Sequence, residues 1–169
     1  RGRIVGRREV RLGPLPNFRW AQETEILLPQ GRVTVLNAHL LSVQTPMPLG
    51  RRRGNPELYW RSREARDLEF AALRRWVAES HGPRLLVGDF NTPPNTPDYR
   101  KLARLGRDAF TVGRGFGFTF PRRHAVLRID HCWVVAGVRP VRTFTRDAGL
   151  SDHRLVVTDF VLTAPQKER

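Results

Sequence analysis

Apolar and polar residues alternate along several short stretches of the chain, and this two-residue period predicts β-strands. The stretches are residues 3–12, 18–28, 32–40, 125–135 and 155–162. Pro29-Gln30-Gly31 has the composition of a hairpin turn and separates the second stretch from the third. Residues 138–149 predict a loop or an edge strand. The pattern therefore indicates a protein in which strands outnumber helices.

A period of three to four residues replaces the alternation between residues 59 and 80 and predicts a helix. Its apolar stripe is predicted to contain Ala65, Leu68, Ala72 and Trp76. His81-Gly82-Pro83 supplies the glycine and proline that commonly follow a helix. Residues 96–107 predict a second, short and basic helix.

The most apolar strand follows the first helix and ends in polar residues. Leu85-Leu86-Val87 leads into Gly88-Asp89-Phe90-Asn91, and Pro93-Pro94 stops the run. Alternation predicts that Asp89 and Asn91 share a face with Leu85 and Val87. A carboxylate can bind a metal ion or take a proton from water, and an amide can donate to a phosphate oxygen. The alternative is a turn, because Asp and Asn are common turn residues.

Three other strands carry polar residues at one end. The same alternation puts Asn37 and His39 on one face with Val33 and Val35. Asp130 is predicted to share a face with Cys132 and Val134. Ser151-Asp152-His153 precedes the last strand. The chemistry-bearing residues are thus concentrated at strand ends.

Charge is the one unusual feature of the composition. The 169 residues are 40% hydrophobic, which suits a single domain over residues 1–169. The formal net charge is +14, and all cationic side chains except Lys101 and Lys167 are arginines. Arginine pairs well with phosphate, so the charge favours a polyanionic partner; the alternative is a compositional bias towards arginine.

Several classes of protein are excluded or disfavoured by the sequence. Cys132 is the sole cysteine, so there is no intrachain disulfide and no cysteine-rich metal site. No apolar run in the sequence is long enough to span a membrane, and its first residues do not predict a signal peptide. The glycine-aromatic segment 113–120 lacks the spacing of a nucleotide-binding loop and is interpreted as structural. The chain opens with Arg1, and Met47 is its only methionine, so a fragment or a processed product is expected.

Four motifs together resemble the endonuclease/exonuclease/phosphatase superfamily of metal-dependent phosphoesterases, whose members include DNase I-like nucleases. The motifs are Asn37-Ala38-His39-Leu40, Gly88-Asp89-Phe90-Asn91, Arg128-Ile129-Asp130-His131 and Ser151-Asp152-His153. Their order and approximate spacing match the family over almost the whole chain. The resemblance implies an α+β fold, a two-sheet β-sandwich flanked by helices in four layers (α/β/β/α, DNase I-like).

The resemblance also implies roles for individual residues in phosphodiester hydrolysis. Asp89 would orient or deprotonate the attacking water, and Asn91 would hold the phosphate. His153 would donate to a non-bridging oxygen, with Asp130 fixing its tautomer. His39 would be a second imidazole on the phosphate side. Asp152, with Asp89 and Asn91, would bind a divalent metal, for which Mg²⁺ is expected and Mn²⁺ or Ca²⁺ are alternatives.

The family's first segments have no counterpart in this chain. Members begin with a strand carrying an asparagine and a later strand carrying a Gln-Glu pair, whose glutamate is the principal metal ligand. Gln22-Glu23 lies too close to His39 to be that pair and is interpreted as a decoy. We therefore expect a domain truncated at the N-terminus, with weak metal binding and an open sheet edge that a missing segment or a homodimer would cover.

Three functions remain open at this stage. The arginine excess favours a Mg²⁺-dependent phosphoesterase acting on nucleic acid. Gly-Asp-Phe-Asn-Thr-Pro-Pro, Thr119-Phe120-Pro121 and Leu127-Arg128-Ile129-Asp130-His131 are similar to a bacterial, often membrane-anchored branch that includes a glycopeptide-resistance protein, which favours a lipid or small phosphorylated substrate. The third is an inactive phosphate-binding fragment. His131, His124 and His81 are expected to be core, loop and helix-end residues.

Overall fold

The computed structural model describes residues 2–13, 19–43 and 55–163. In these ranges the chain forms eight strands, two helices and one 3₁₀ turn. In order they are β1 (Arg3–Arg11), β2 (Trp20–Leu28), β3 (Gly31–Asn37), α1 (Pro56–Glu79), β4 (Arg84–Asp89), α2 (Pro97–Ala103), β5 (Arg107–Asp108), the turn Ala109–Val112, β6 (Asp130–Ala136), β7 (Val138–Arg146) and β8 (Leu155–Leu162).

The strands form a large sheet and a small one. The large sheet has the order β1-β2-β3-β4-β6-β5, and β7 pairs with β8 in the small sheet. Only β3 and β4 run parallel, with α1 as the crossover between them; the other pairs are antiparallel. Two sheets with two helices confirm the predicted α+β sandwich.

Each face of the large sheet has its own apolar core. On one face α1 and α2 contribute Phe70, Leu73, Trp76 and Leu102 to a buried cluster with residues of β3, β4 and β6. On the other face the small sheet covers a second cluster of Val33, Leu85, Ala109, Cys132, Val134 and Val138. Both helices thus pack on the same side, so the described residues supply three layers: helices, large sheet and small sheet.

Most predicted elements are present, with shifted bounds. The strand predicted over 125–135 is wrong for its first half, because residues 119–127 fold back on themselves. The backbone N–H groups of Thr119 and Phe120 both donate to Leu127 O, at 2.7 and 3.0 Å, so only Asp130–Ala136 is free to pair with β4. Of the two alternatives for residues 138–149, the strand is present as β7, which pairs with β8 in the small sheet.

The third strand and the second helix are both shorter than predicted. Pairing of β3 with β2 stops at Asn37, although Ala38 and Leu40 still donate backbone hydrogen bonds to β4. Thr96 caps α2, which ends at Ala103 because Arg107 and Asp108 turn to pair with β6. The predicted loop over 41–57 lies largely outside the described residues, and α1 begins at Pro56 after the cap Asn55.

The predicted buried face of α1 is rotated. Trp76 of the predicted stripe is buried, but Leu68 is 48% exposed. The buried residues of the helix are Ser62, Arg66, Glu69, Phe70, Leu73 and Trp76. Arg66 and Glu69 face inward because they bind polar backbone groups at the end of the large sheet. An apolar stripe alone therefore does not identify the buried face of this helix, because charged and polar residues are also buried on it.

Two further sequence predictions concern membranes and edges. No helix among the described residues is long and apolar enough to cross a membrane. β8 has β7 on one side and, within the described ranges, no strand on the other. Coverage of that edge by another segment or a second copy stays a prediction.

Candidate active site

A cleft of about 840 Å³ opens between the two sheets. Apolar side chains of both sheets, Val35, Leu85, Val87, Val156 and Phe160, line its walls. At one end the lining is polar and contains Asn37, His39, Asp89, Asp130, Asp152 and His153. Five of the six residues singled out from the sequence therefore line one cavity, and the sixth, Asn91, lies beside it.

Asp89 and Asp130 face each other across neighbouring strands. They are register partners, the last residue of β4 and the first of β6. Only 18% and 19% of their side chains are exposed. Burial raises the pKa of Asp89, and the negative charge of Asp130 adds to this, while the hydrogen bond from the Asn91 backbone N–H opposes it. The cleft thus holds two carboxylates whose charges are poorly solvated.

Gly88 is required for β4 to deliver Asp89 to this point. Its φ is +127°, and a Cβ on it would lie 2.1 Å from Ala38 O. The Ala38 backbone N–H in turn donates to Val87 O at 2.8 Å. Only glycine lets the two parallel strand ends approach so closely.

Asn91 is placed by a turn and not by strand alternation. β4 ends at Asp89, and Asn91 has a φ of +47°. Its backbone N–H donates to Asp89 Oδ1 at 2.8 Å, and its side-chain Nδ2 donates to Leu40 O at 2.9 Å and lies 3.5 Å from Asp89 Oδ2. The predicted shared face is therefore wrong for Asn91, although the turn brings it to Asp89. Its binding to a phosphate or a metal stays a prediction.

His153 and Asp130 form a hydrogen-bonded pair. His153 Nδ1 donates to Asp130 Oδ2 at 2.8 Å, and the ring packs against Phe120 with centroids 4.8 Å apart. Burial disfavours the charged imidazole, but the hydrogen bond and charge of Asp130, together with Asp89 and Asp152, outweigh it and raise the pKa of His153. Because Nδ1 faces Asp130, Nε2 is the nitrogen left for a substrate.

His39 and Asp152 lie at the rim. His39 Nε2 is 3.5 Å from Asp89 Oδ2, and its side chain is 60% exposed. Asp152 is exposed, and Ser151 Oγ lies 3.4 Å from Asp152 Oδ1. The backbone O of Asp152 accepts from the Arg122 N–H at 2.7 Å. The residues whose ligand atoms lie within 4.8 Å of one another are Asp89, Asp130 and His153. Metal binding by Asp152 stays a prediction.

The donor set of the cleft fits a hard divalent cation. Two carboxylates opposite each other supply the oxygen ligands that Mg²⁺ prefers, and Mg²⁺ usually takes one or two carboxylates together with water and phosphate. A cation would also relieve the repulsion that contributes to the raised pKa of Asp89. Asp89 and Asp130 are the residues that would hold it.

Glu23 lies on the other face of the large sheet. It is 7% exposed, accepts from Arg8 Nε and Nη2 at 2.7 and 2.8 Å, and accepts from Trp76 Nε1 at 2.5 Å. Its partner across β3 is Leu36, which is buried under α1. The carboxylate is thus engaged on the helix side, as expected for a decoy.

The remaining histidines have the predicted settings. His131 is 3% exposed and its Nε2–H donates to Thr92 O at 2.8 Å. Burial, with Arg128 nearby, lowers the pKa of His131 to about 4. His124 is exposed in a loop and His81 is exposed just after α1.

The sequence interpretation missed Arg66 and Glu69. Arg66 contacts the backbone after His39 and after Asp89, and Glu69 accepts from the Leu41 N–H. Their spacing from Ser62, Leu73 and Trp76 is the helical three-to-four-residue period, so the signal was present. An apolar stripe does not reveal it, because Arg66 and Glu69 are charged.

Comparisons with known proteins identify the family and related folds. Residues 6–153 match the model of the endonuclease/exonuclease/phosphatase family. The chain is 18% identical to a solved endonuclease/exonuclease/phosphatase from Bacteroides vulgatus (TM-score 0.71), covering 95% of this chain and 66% of that one.

Two further solved structures are similar at comparable coverage. A mannosyl-6-phosphatase from Bacteroides thetaiotaomicron is 17% identical, with a TM-score of 0.68 over 95% of this chain and 67% of that one. A humanized TDP2 from D. rerio is 15% identical, with a TM-score of 0.67 over 95% and 68%. The chain thus spans about two thirds of their length. Among curated proteins no significant match is found.

Proposed function

The chain belongs to the endonuclease/exonuclease/phosphatase family, and on that premise we propose that it serves as a divalent-metal-dependent phosphoesterase that hydrolyses phosphodiester bonds. The observation that carries the proposal is the cluster of Asp89, Asp130 and His153 at the polar end of the inter-sheet cleft. His39 and Asn91 adjoin this cluster.

Asp89 is the residue we assign to the attacking water. Its carboxylate lines the cleft, and a carboxylate held there can orient a water and accept its proton. The Asn91 backbone N–H fixes Oδ1, which leaves Oδ2 towards His39 to accept from a water.

His153 is the residue we assign to the phosphate. Its raised pKa increases the protonated fraction near neutral pH, and Nε2–H then donates to a non-bridging oxygen. Asp130 holds the ring through Nδ1. His39 would approach the same phosphate from the rim.

Asp89 and Asp130 would hold the metal, with Asp152 as a further candidate at the rim. When bound, Mg²⁺, or Mn²⁺ or Ca²⁺ in its place, would neutralise negative charge on the phosphate.

Nucleic acid is the substrate class we favour, because the net charge is +14 and a basic groove adjoins the cleft. The groove has a volume of about 620 Å³, contains Arg122, Arg123 and His124, and shares Ser151 and Asp152 with the cleft rim. The arginines of this groove would bind the phosphates next to the scissile one in a nucleic-acid strand.

A lipid or small phosphorylated substrate is the second candidate. One structural neighbour is a mannosyl-6-phosphatase, a name that designates a small phosphorylated substrate. The apolar walls of the cleft also suit a hydrophobic group. An inactive phosphate-binding protein is the third.

Hydrolysis of a panel of phosphoesters tests these candidates. Plasmid DNA, bis-p-nitrophenyl phosphate and prenyl pyrophosphate are each incubated with Mg²⁺, Mn²⁺ or Ca²⁺, with and without EDTA. Cleavage of DNA and bis-p-nitrophenyl phosphate that EDTA abolishes supports the proposal. Turnover of prenyl pyrophosphate alone supports the second candidate, and no turnover of any substrate at any metal concentration contradicts both.

A further inference from the structure

We propose that Arg66 and Glu69 of α1 are positioning residues that clamp together the two loops of the candidate site. One loop carries His39, and the other begins after Asp89, the last residue of β4, and carries Asn91. The role in catalysis rests on the proposed function, whereas the clamp itself is a property of the folded chain.

Arg66 binds both loops at once from the helix side. It is fully buried, and its Nη1 donates to Leu41 O and, at 3.2 Å, to Phe90 O. Its Nη2 donates to Thr92 Oγ1 at 2.7 Å. A single guanidinium thus contacts the chain two residues after His39 and immediately after Asp89.

Glu69 binds the backbone N–H of Leu41, the residue whose carbonyl oxygen accepts from Arg66. Both carboxylate oxygens accept from the Leu41 N–H, at 3.2 and 3.0 Å. Because Arg66 takes the Leu41 carbonyl, the two side chains one helical turn apart satisfy both backbone groups of Leu41. The loop after β3 is therefore held on the helix side at a residue where it has left the sheet.

The two loops also bind each other at the clamp. The Leu40 backbone N–H donates to Asp89 O at 2.9 Å, and Asn91 Nδ2 donates to Leu40 O at 2.9 Å. On the opposite, cleft-facing side, His39 Nε2 lies 3.5 Å from Asp89 Oδ2. His39 is mostly exposed, so its position relative to Asp89 depends on its backbone.

Stability alone is a poor explanation for a charge buried so deeply. The Arg66 charge is balanced by Asp98, whose Oδ2 accepts from Arg66 Nε and from Arg63 Nη1, each at 2.9 Å. Replacing a buried ion pair with apolar residues of similar volume is often neutral or stabilising. What an apolar residue does not provide is three directed hydrogen bonds to two separate loops, which is a positional function.

Matched variants separate the clamp from the ion pair. Arg66→Lys keeps the charge beside Asp98 but loses the fork that reaches both loops. Arg63→Gln is the control, because Arg63 lies on the same helix and binds the same Asp98 without contacting either loop in the described structure. Glu69→Gln keeps an acceptor for the Leu41 N–H, and Glu69→Leu removes it.

Amide hydrogen exchange measured by NMR reports on the clamp directly. We expect Arg66→Lys and Glu69→Leu to speed exchange at Leu40 and Leu41 about tenfold or more, with Cys132 in β6 unchanged. We expect inorganic phosphate to shift the ring resonances of both His39 and His153 in the wild type, and only those of His153 in Arg66→Lys.

Turnover of bis-p-nitrophenyl phosphate supplies the catalytic readout, measured where every variant is folded by circular dichroism. We expect kcat of Arg66→Lys to fall about 10- to 100-fold with KM changed less than about threefold, because a displacement near 1 Å has that effect on rate. The kcat of Glu69→Leu should fall in the same way. Glu69→Gln and Arg63→Gln should keep the wild-type kcat.

Two results would overturn the clamp. One is a folded Arg66→Lys protein with wild-type amide exchange rates at Leu40 and Leu41 and a wild-type phosphate-induced shift of His39. The other is a loss of kcat in Arg63→Gln as large as that in Arg66→Lys. If Arg66→Lys does not fold, the Glu69→Leu and Glu69→Gln pair decides by the same readouts. If the wild type hydrolyses nothing, the proposed function fails, while exchange and phosphate-induced shifts still test the clamp.

Discussion

The two faces of the large sheet differ in the partners of their charged side chains. On the helix face each of the buried charged side chains Glu23, Arg66, Glu69 and Asp98 has a partner within hydrogen-bonding distance. On the cleft face Asp89 and Asp130 lie opposite each other, and their ion-pair partners among the described residues are His39 and His153. The pairs on the helix face fix the backbone, whereas the two opposed carboxylates of the cleft, each with a histidine beside it, form the cluster that we propose binds and reacts.

Consecutive residues of one motif belong to different faces. Asp89 lines the cleft and Phe90 is fully buried under the helices. Asp130 likewise holds His153 in the cleft, while His131 packs against Tyr99 and Trp133 on the helix side. Each of these two motifs therefore joins a residue that lines the cleft to one that packs on the helix side, and substitutions at neighbouring positions should affect different properties.

Asp89→Asn should give the largest effect and should change activity alone. We expect hydrolysis of bis-p-nitrophenyl phosphate to fall about 10³-fold, because the base is lost. Asparagine keeps the acceptor for the Asn91 N–H, and the poorly solvated charge disappears, so the melting temperature should not fall. Asp159→Asn, at an exposed position of β8 paired with Arg142, is the control and should leave activity unchanged. A fully active Asp89→Asn protein would remove Asp89 from the mechanism.

His131 should make the helix face sensitive to acid. Unfolded His131 has the ordinary pKa of 6.5, whereas the folded residue has a pKa of about 4, so the unfolded state binds more protons between these values. The free energy of unfolding should therefore fall as the pH is lowered from about 6.5 to about 4, by about 3 kcal/mol from this group.

The matched control is His131→Gln, which keeps a donor for Thr92 O. Urea denaturation of both proteins at pH 7, 6, 5 and 4 isolates the histidine contribution as the difference between the two curves. Parallel curves for wild type and variant would contradict the low pKa. In the cleft the pKa of His153 is shifted in the opposite direction, upward, because carboxylates surround its ring.

Glu23 should show the smallest effect, on stability only. Glu23→Leu leaves the buried Trp76 N–H without an acceptor and should lower the free energy of unfolding by about 1–2 kcal/mol. Glu23→Gln keeps an acceptor and loses only the pair with Arg8, whose side chain is 64% exposed, so it should cost less than about 1 kcal/mol.

Activity and metal dependence should be unchanged in both Glu23 variants, because the carboxylate lies on the helix face. Chemical denaturation and the Mg²⁺ dependence of turnover measure the two properties. A Glu23→Gln protein of normal stability that has lost its metal dependence would place Glu23 in the site and break the contrast between the two faces.

Much of the fold was predictable because strand periodicity is local. Alternation placed Val35, Asn37 and His39 on the cleft face, and did the same for Asp130 and Cys132. It failed where the chain leaves the sheet: Asn91 sits in a turn with positive φ, and residues 119–127 close on themselves. At such points hydrogen bonds to the nearest available group, and not the two-residue period, set the direction of a side chain.

The sequence by itself determined which residues of β3, β4 and β6 share a face, and that acidic and imidazole groups gather at the strand ends. Only the tertiary structure decided that His153 meets Asp130 and that Arg66 and Glu69 turn inward to hold Leu41. Local alternation follows from backbone geometry alone, whereas these pairings depend on which unsatisfied backbone groups and carboxylates the packing of distant segments brings together.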